Sequence, residues 1–183
     1  MPTERTLKFA LTIILTSLAV IISPFLWFPA FGTKAYPGQH LINVVAGILL
    51  GPWYASLIAL MTGIIRMSLG VGTIYSLPGG IPGAFLVGIT RNILLRKDER
   101  RIIYATFMEP VGTVLIGGTI SFFLIAPFIG TEEVLTMLQR DPWTGLLWFW
   151  GLWSLSSIPG TILGFTVISF LQKSRVLEKI IKR

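Results

Sequence analysis

Tyr36-Pro37-Gly38-Gln39-His40-Leu41-Ile42-Asn43-Val44-Val45-Ala46-Gly47-Ile48-Leu49-Leu50-Gly51-Pro52-Trp53-Tyr54-Ala55 decides how this chain folds. It opens with polar and aromatic residues and carries the chain's single histidine. It then runs apolar for fewer residues than the ~20 an upright helix needs to cross a bilayer. Gly51-Pro52 must break that helix, because proline lacks the backbone N–H and its ring clashes with the preceding turn. A second apolar run begins at once. The stretch therefore predicts a short helix, a tight corner and a returning helix, as in a membrane protein with a half-open cavity on one side.

The composition around it agrees. Hydrophobic residues make up 53% of the 183 and charged residues 13%, about half the charged share of a soluble domain. This length suits one domain, expected here as a single all-α membrane domain over 1–183. With no cysteine, disulfides and thiolate metal sites are excluded. A lone histidine excludes a multi-histidine metal cluster, and no cofactor is expected. The net charge of +7 does not point to nucleic acid, because the basic residues sit in short clusters between and after apolar runs. That is how topology signals are distributed. The first apolar run is as long as a full span and no small-residue cleavage site follows it, which argues against a cleavable signal peptide.

Outward from the opening stretch, six spans are expected, over about 7–28, 39–50, 52–69, 81–95, 102–126 and 145–171. Arg5 and Lys8 belong to a short basic leader, Met1 to Lys8, that runs into the first. Arg91, Arg96, Lys97, Arg100 and Arg101 surround the loop after the fourth, and Lys173, Arg175, Lys179, Lys182 and Arg183 follow the sixth. These segments hold most of the 15 basic residues, so the positive-inside rule puts both termini in the cytoplasm. Loops at 29–38, 70–80 and 127–144 then face outward. On the first span Thr12, Thr16, Ala19 and Ser23 form a stripe of small residues at helical spacing, which lets another helix approach closely.

The outward ends gather the residues with chemistry. Tyr36, Gln39 and His40 stand at the mouth of the second helix, with Asn43 one turn deeper. Arg66 ends the third helix, Tyr75 and Ser76 lie in the next loop, and the amino end of the fourth helix offers free N–H groups. Trp148, Trp150 and Trp153 enter on the sixth helix, Trp153 deepest. Donors, acceptors and flat apolar surfaces together suit a small planar ligand. Each residue also has a plainer role: interfacial belt for the tryptophans, a snorkelling cation for Arg66, a helix start for His40, interhelical glue for Asn43. Glu109 on the fifth helix and Arg91 on the fourth lie at similar depth. They are expected to form a structural ion pair, because either charge alone would cost several kcal/mol. A proton relay is the sharper alternative, but no second carboxylate sits in a span to take the proton on.

Catalysis finds little support. His40 with Ser76 or Ser154 lacks the surroundings of a serine nucleophile, and there is no Walker-type phosphate loop. Energy for transport would have to come from a partner.

Six spans and cytoplasmic termini in a chain of this size resemble the substrate-binding (S) component of an energy-coupling-factor (ECF) vitamin transporter. More narrowly, Pro37-Gly38-Gln39-His40-Leu41-Ile42-Asn43 followed by Gly47-Ile48-Leu49-Leu50-Gly51-Pro52-Trp53-Tyr54-Ala55 resembles the ThiW family. So do Pro78-Gly79-Gly80-Ile81-Pro82-Gly83-Ala84 and Glu109-Pro110-Val111-Gly112-Thr113. The resemblance covers about residues 36–125. It implies an S-component-like bundle that binds a thiamine precursor, a thiazole such as hydroxyethylthiazole, from outside. It also implies partners: a membrane coupling subunit and two ATPase subunits. S components often dock the coupling subunit through an Ala-x-x-x-Ala pattern on the first helix. Here Thr12, Thr16, Ala19 and Ser23 stand in that place.

On this reading the ring stacks on Trp153 or Tyr75, and its nitrogen accepts from His40, Gln39 or Arg66. Asn43 holds the hydroxyl, and the 29–38 loop is a lid latched by Tyr36. The competing expectations are an S component for another vitamin (thiamine or the pyrimidine precursor), an intramembrane enzyme with His40 as base, and a non-binding assembly subunit.

Overall fold

The computed structural model describes residues 3–30 and 33–181. Residues 1–2 of the basic leader, 31–32 of the expected outer loop, and Lys182 and Arg183 of the tail lie outside the described residues.

Helix α1 (Glu4–Ile22) starts at Thr3, whose side chain accepts the Thr6 N–H, satisfying one of the first-turn donors. Two short strands follow, β1 (Phe28–Ala30) and β2 (Thr33–Ala35), paired antiparallel with Pro29 opposite Lys34. Helices α2 (Pro37–Leu50) and α3 (Pro52–Ser68) meet at Gly51. The corner needs φ of 80° at Gly51, a conformation open to glycine. Pro52 then takes the first position of α3, where a missing N–H costs nothing. Next come α4 (Ser76–Leu95), α5 (Glu99–Ile129), α6 (Glu132–Arg140), α7 (Pro142–Lys173) and α8 (Val176–Ile181).

Three expectations change. The 29–38 loop contains the strand pair, so the fold is helical with one small hairpin. The loop expected at 70–80 is shorter, helix taking its second part: α4 begins at Ser76, with Pro78 in its first turn, where proline is tolerated. The first-turn N–H groups are not free, because Ser76 and Leu77 donate to the Thr73 and Ile74 carbonyls and Gly79 donates to that of Tyr75. The expected 127–144 loop is mostly helical, shared by the end of α5, the start of α7 and between them α6, whose Glu132 and Glu133 sit in the first turn and Arg140 in the last. Those charges match the helix dipole.

Helix α2 is the axis. Every residue in it except Leu41 is buried, among α1, α3, α4 and α7. Helix α5 is irregular. Its first nine residues wind tightly as a 3-10 helix, and wider π turns run over Val111–Gly117 and Ser121–Ile125. These distortions accompany close contact with α4: a Cβ added at Gly112 would sit 2.7 Å from Gly83 Cα.

The long helices run alternately between two ends. The amino end of α1 and the carboxyl ends of α2 and α4 gather with α8 around a small cavity lined by Lys8, Leu50, Arg91 and Ile181. Gln172 near the end of α7 donates to the Arg100 carbonyl at 3.0 Å, so the basic 96–101 segment lies at that end too.

The stripe on α1 is an inward face. Thr12, Thr16, Ala19 and Ser23 are all buried, so they are not available for docking a coupling subunit. The small side chains let α1 close on α3 and α2, and the Thr12 and Ser23 hydroxyls donate to the carbonyls of Lys8 and Ala19 four residues back. Phe9, Ile13, Ile14, Leu18 and Ile21 point outward instead. A continuous apolar exterior of this kind calls for lipid or a partner. By length and composition α1, α5 and α7 can each cross a membrane.

A Cβ at Gly88 would overlap the backbone of Pro52 and lie 2.6 Å from the Gly51 carbonyl carbon. Gly88→Ala should therefore cost about 1–3 kcal/mol by overpacking, seen as a lower unfolding midpoint in detergent. Gly151 has nothing within 4 Å of an added Cβ, so Gly151→Ala should be neutral or slightly stabilising. Equal midpoints for the two variants would disprove the packing of α4 on the corner.

Candidate functional site

A cavity of about 840 Å³ opens at the end of the molecule opposite the basic cluster. Its lining includes Tyr36, Gln39 and His40 from the start of α2, Arg66 from the last turn of α3, Tyr75 and Ser76 from the start of α4, and Trp148 and Trp153 from α7. Asn43 is not among the lining residues. It lies just beneath, 1% exposed, donating to the Gly80 carbonyl at 3.3 Å and to Glu109 Oε1 at 3.2 Å. It holds the floor of the site, a structural role.

Glu109 does not meet Arg91. Its carboxylate is fully buried and is held by side chains from three helices. His40 Nδ1 lies 2.7 Å from Oε1, with Asn43 and the Thr113 hydroxyl on the same oxygen. Ser157 and Thr161 donate to Oε2. The Thr113 hydroxyl also lies 2.8 Å from the Gly79 carbonyl, which binds α4 into the knot. A buried carboxylate survives only with such company. With Nδ1 on Glu109, the Nε2 of His40 is left for another partner.

The expected Arg91–Glu109 pair is thus replaced by His40–Glu109. The two do not share a depth: Glu109 lies beside Gly83 of α4, and Arg91 lies further along that helix at the opposite end. Arg91 instead donates through Nε to the Ile48 carbonyl at 3.0 Å and through a terminal nitrogen to Asn92 Oδ1 at 2.7 Å. Ile48 lies in the last turn of α2, whose carbonyls have no partner within the helix. A cation there satisfies one of them and suits the dipole.

The upper wall is built on Arg66. Its guanidinium lies 4.5 Å from the centre of the Tyr36 ring, donates to Gln39 Oε1 and reaches the Val71 carbonyl at 3.2 Å. Gln39 in turn donates to the Ser76 carbonyl at 3.3 Å. The Tyr36 N–H donates to the Ser156 hydroxyl at 3.0 Å, tying the end of the hairpin to α7. Aromatic rings cover the other side: Trp153 packs 5.5 Å from Phe149, which meets Tyr75 at 6.0 Å. Gly79 leaves room for Trp153, since a Cβ there would lie 3.0 Å from the indole. Trp150 turns away and donates to the Thr119 hydroxyl at 3.2 Å. Trp148 lines the mouth but stays 38% exposed, so both site and interface claim it.

Several contributors escaped the sequence reading. Lys34 on β2 lines the cavity with its ammonium 4.5 Å from the centre of the Trp27 ring. Glu133 and Val134 of α6 close one edge. Ser157 and Thr161 carried a usable signal, because polar pairs at helical spacing recur at His40/Asn43, Glu109/Thr113 and Ser157/Thr161. Three such pairs on apolar helices announce a shared polar knot.

A double-mutant cycle tests the exchange of partners. His40→Ala and Glu109→Ala should be strongly non-additive in unfolding free energy, because each leaves the other's polar group stranded. Arg91→Ala and Glu109→Ala should add within about 0.5 kcal/mol. Strong coupling in the second pair would restore the Arg91–Glu109 pairing.

A family model described as "Thiamine-precursor transporter protein (ThiW)" matches residues 9–174. No curated protein and no solved structure matches the chain.

Proposed function

Because the chain belongs to the ThiW family of thiamine-precursor transporters, we propose that it is the substrate-binding S component of an ATP-driven ECF importer and that it captures a thiazole precursor such as hydroxyethylthiazole from outside the cell. The observation that carries this reading is the cavity itself. Polar groups from α2, α3 and α4 face aromatic groups from α4 and α7 across a space of about 840 Å³. That lies within the range of small-molecule sites.

In this reading the heterocycle stacks on Trp153 with Tyr75 behind it, His40 Nε2 and Ser76 supply polar contacts, and the hairpin with Tyr36 closes the mouth. The bond from the Tyr36 N–H to Ser156 supports a latch. Asn43 and Glu109 act through His40, fixing its ring. The sequence carries no phosphate-binding loop, so a coupling subunit and two ATPase subunits supply the energy. Docking of the coupling subunit uses the outward apolar faces of the bundle, since the α1 stripe is buried. An S component for another vitamin keeps the same architecture and changes only the ligand.

We further propose that the chain crosses the membrane six times with both termini cytoplasmic. The gathering of Lys8, Arg91, Arg100 and α8 at the end opposite the cavity supports this. The natural absence of cysteine makes the test direct. In intact cells a membrane-impermeant thiol reagent should label Arg140→Cys and spare Lys97→Cys. The reverse pattern would invert the topology.

The functional test is the thermal stability of the purified chain against hydroxyethylthiazole, thiamine, the pyrimidine precursor, riboflavin and biotin. Ligand bound by the native state raises the midpoint by mass action. A rise with hydroxyethylthiazole, weakened about tenfold in affinity by Trp153→Ala, is the expected result. A rise with a different vitamin alone would remove the thiazole assignment, and turnover of any of these by the chain alone would remove the binding-subunit assignment.

A further inference from the structure

Arg66 is 2% exposed, and among the described residues no carboxylate lies within ion-pair distance of it. Its partners are the neutral Gln39 amide, the Val71 carbonyl and the Tyr36 ring, and its Nε has no hydrogen-bond partner. A buried guanidinium left in this condition is costly. The contrast with Glu109 is sharp: there every oxygen is covered by donors. Arg66 lines the cavity, and so does the Lys34 ammonium. The one carboxylate among the lining residues belongs to Glu133, which is exposed near the start of α6. Guanidinium forks fit oxyanions in planar, paired geometry.

From these observations we infer that the cavity holds a second subsite, centred on Arg66, for a compact oxyanion carried by the ligand, a carboxylate or a phosphate monoester. The inference rests on the thiazole-binding reading and deepens it. The bound molecule is an acidic derivative of the heterocycle, with the ring on the Trp153 side and the anionic arm toward Arg66. The cavity supports a ligand with such an arm, because about 840 Å³ is near the upper end of the small-molecule range and a single five-membered ring with a short alcohol fills little of it. The same charge works against thiamine, whose thiazolium is a cation.

The test compares affinities of the full chain, in detergent or lipid discs, for hydroxyethylthiazole, its phosphate monoester, a thiazole carboxylate and thiamine. At least one acidic thiazole should bind about tenfold or more tightly than the neutral alcohol, as a charge-assisted pair allows. Which acid wins tells phosphate from carboxylate. Arg66→Gln should weaken the acid more than the alcohol, and Arg66→Lys should restore part of the difference. Should Arg66→Gln fail to fold, competition on the native chain decides: methyl phosphate or acetate should displace the bound acid and leave the bound alcohol in place. Equal affinity for acid and alcohol, or an undiminished preference in Arg66→Gln, overturns the subsite while leaving the thiazole reading intact. Failure of every thiazole, with methyl phosphate still raising thermal stability through Arg66, overturns the thiazole reading and keeps the oxyanion site. Failure of all of these probes overturns both.

Discussion

The buried Glu109 carboxylate governs the interior. One negative charge sits where water cannot reach it, and it is tolerable because α2, α5 and α7 each turn polar side chains onto it. Meeting that demand fixes the rotation of three helices about their axes. Through Asn43 and Thr113 it also fixes the backbone of α4 at Gly79 and Gly80. Apolar contacts alone would allow helices in a bundle to slide or rotate at little cost, because many apolar arrangements are nearly equivalent. A carboxylate with two oxygens and a finite set of acceptor directions allows few.

The lower wall of the cavity inherits its geometry from this knot. His40 has one ring nitrogen held by Glu109, so the ring is fixed in place. A preorganised donor or acceptor loses less on binding than one that must be ordered first. The upper wall is arranged differently. Arg66 is held by an amide, a carbonyl and a ring, with hydrogen-bonding capacity left over. Of the buried pair Glu109 and Arg66, the first is fully used by the protein and the second is not.

Much of this was legible in the sequence, and the boundary of legibility is physical. Gly51-Pro52 announces the corner because proline chemistry is local. The short α2 follows from counting apolar residues before it. The convergence of Gln39, His40, Arg66, Tyr75 and Trp153 follows from alternating helix direction, which brings the ends of successive helices together. What failed depends on depth and rotation. Glu109 lies beside His40 and Gly83 while Arg91 lies further along α4, against the last turn of α2, and the α1 stripe of Thr12, Thr16, Ala19 and Ser23 has the right spacing for an interface whichever way it points. Sequence spacing defines a face without saying what lies opposite. The loops misread as irregular are Gly- and Pro-rich at 76–80 or strongly polar at 132–140. Their helices come from tertiary support and end charges, which override weak local preference.

The burial of all of α2 but Leu41 has a consequence for the form of the cavity. Below His40 and Asn43 the helix continues as Val44-Val45-Ala46-Gly47-Ile48-Leu49-Leu50, buried throughout and closed at the far end by Arg91 on its last turn. Among the described residues, the large cavity and the small one at the far end share no lining residue, and the apolar length of α2 runs on below the Glu109 knot. The cavity has the form of a cup, closed beneath by the same helix that carries its polar wall.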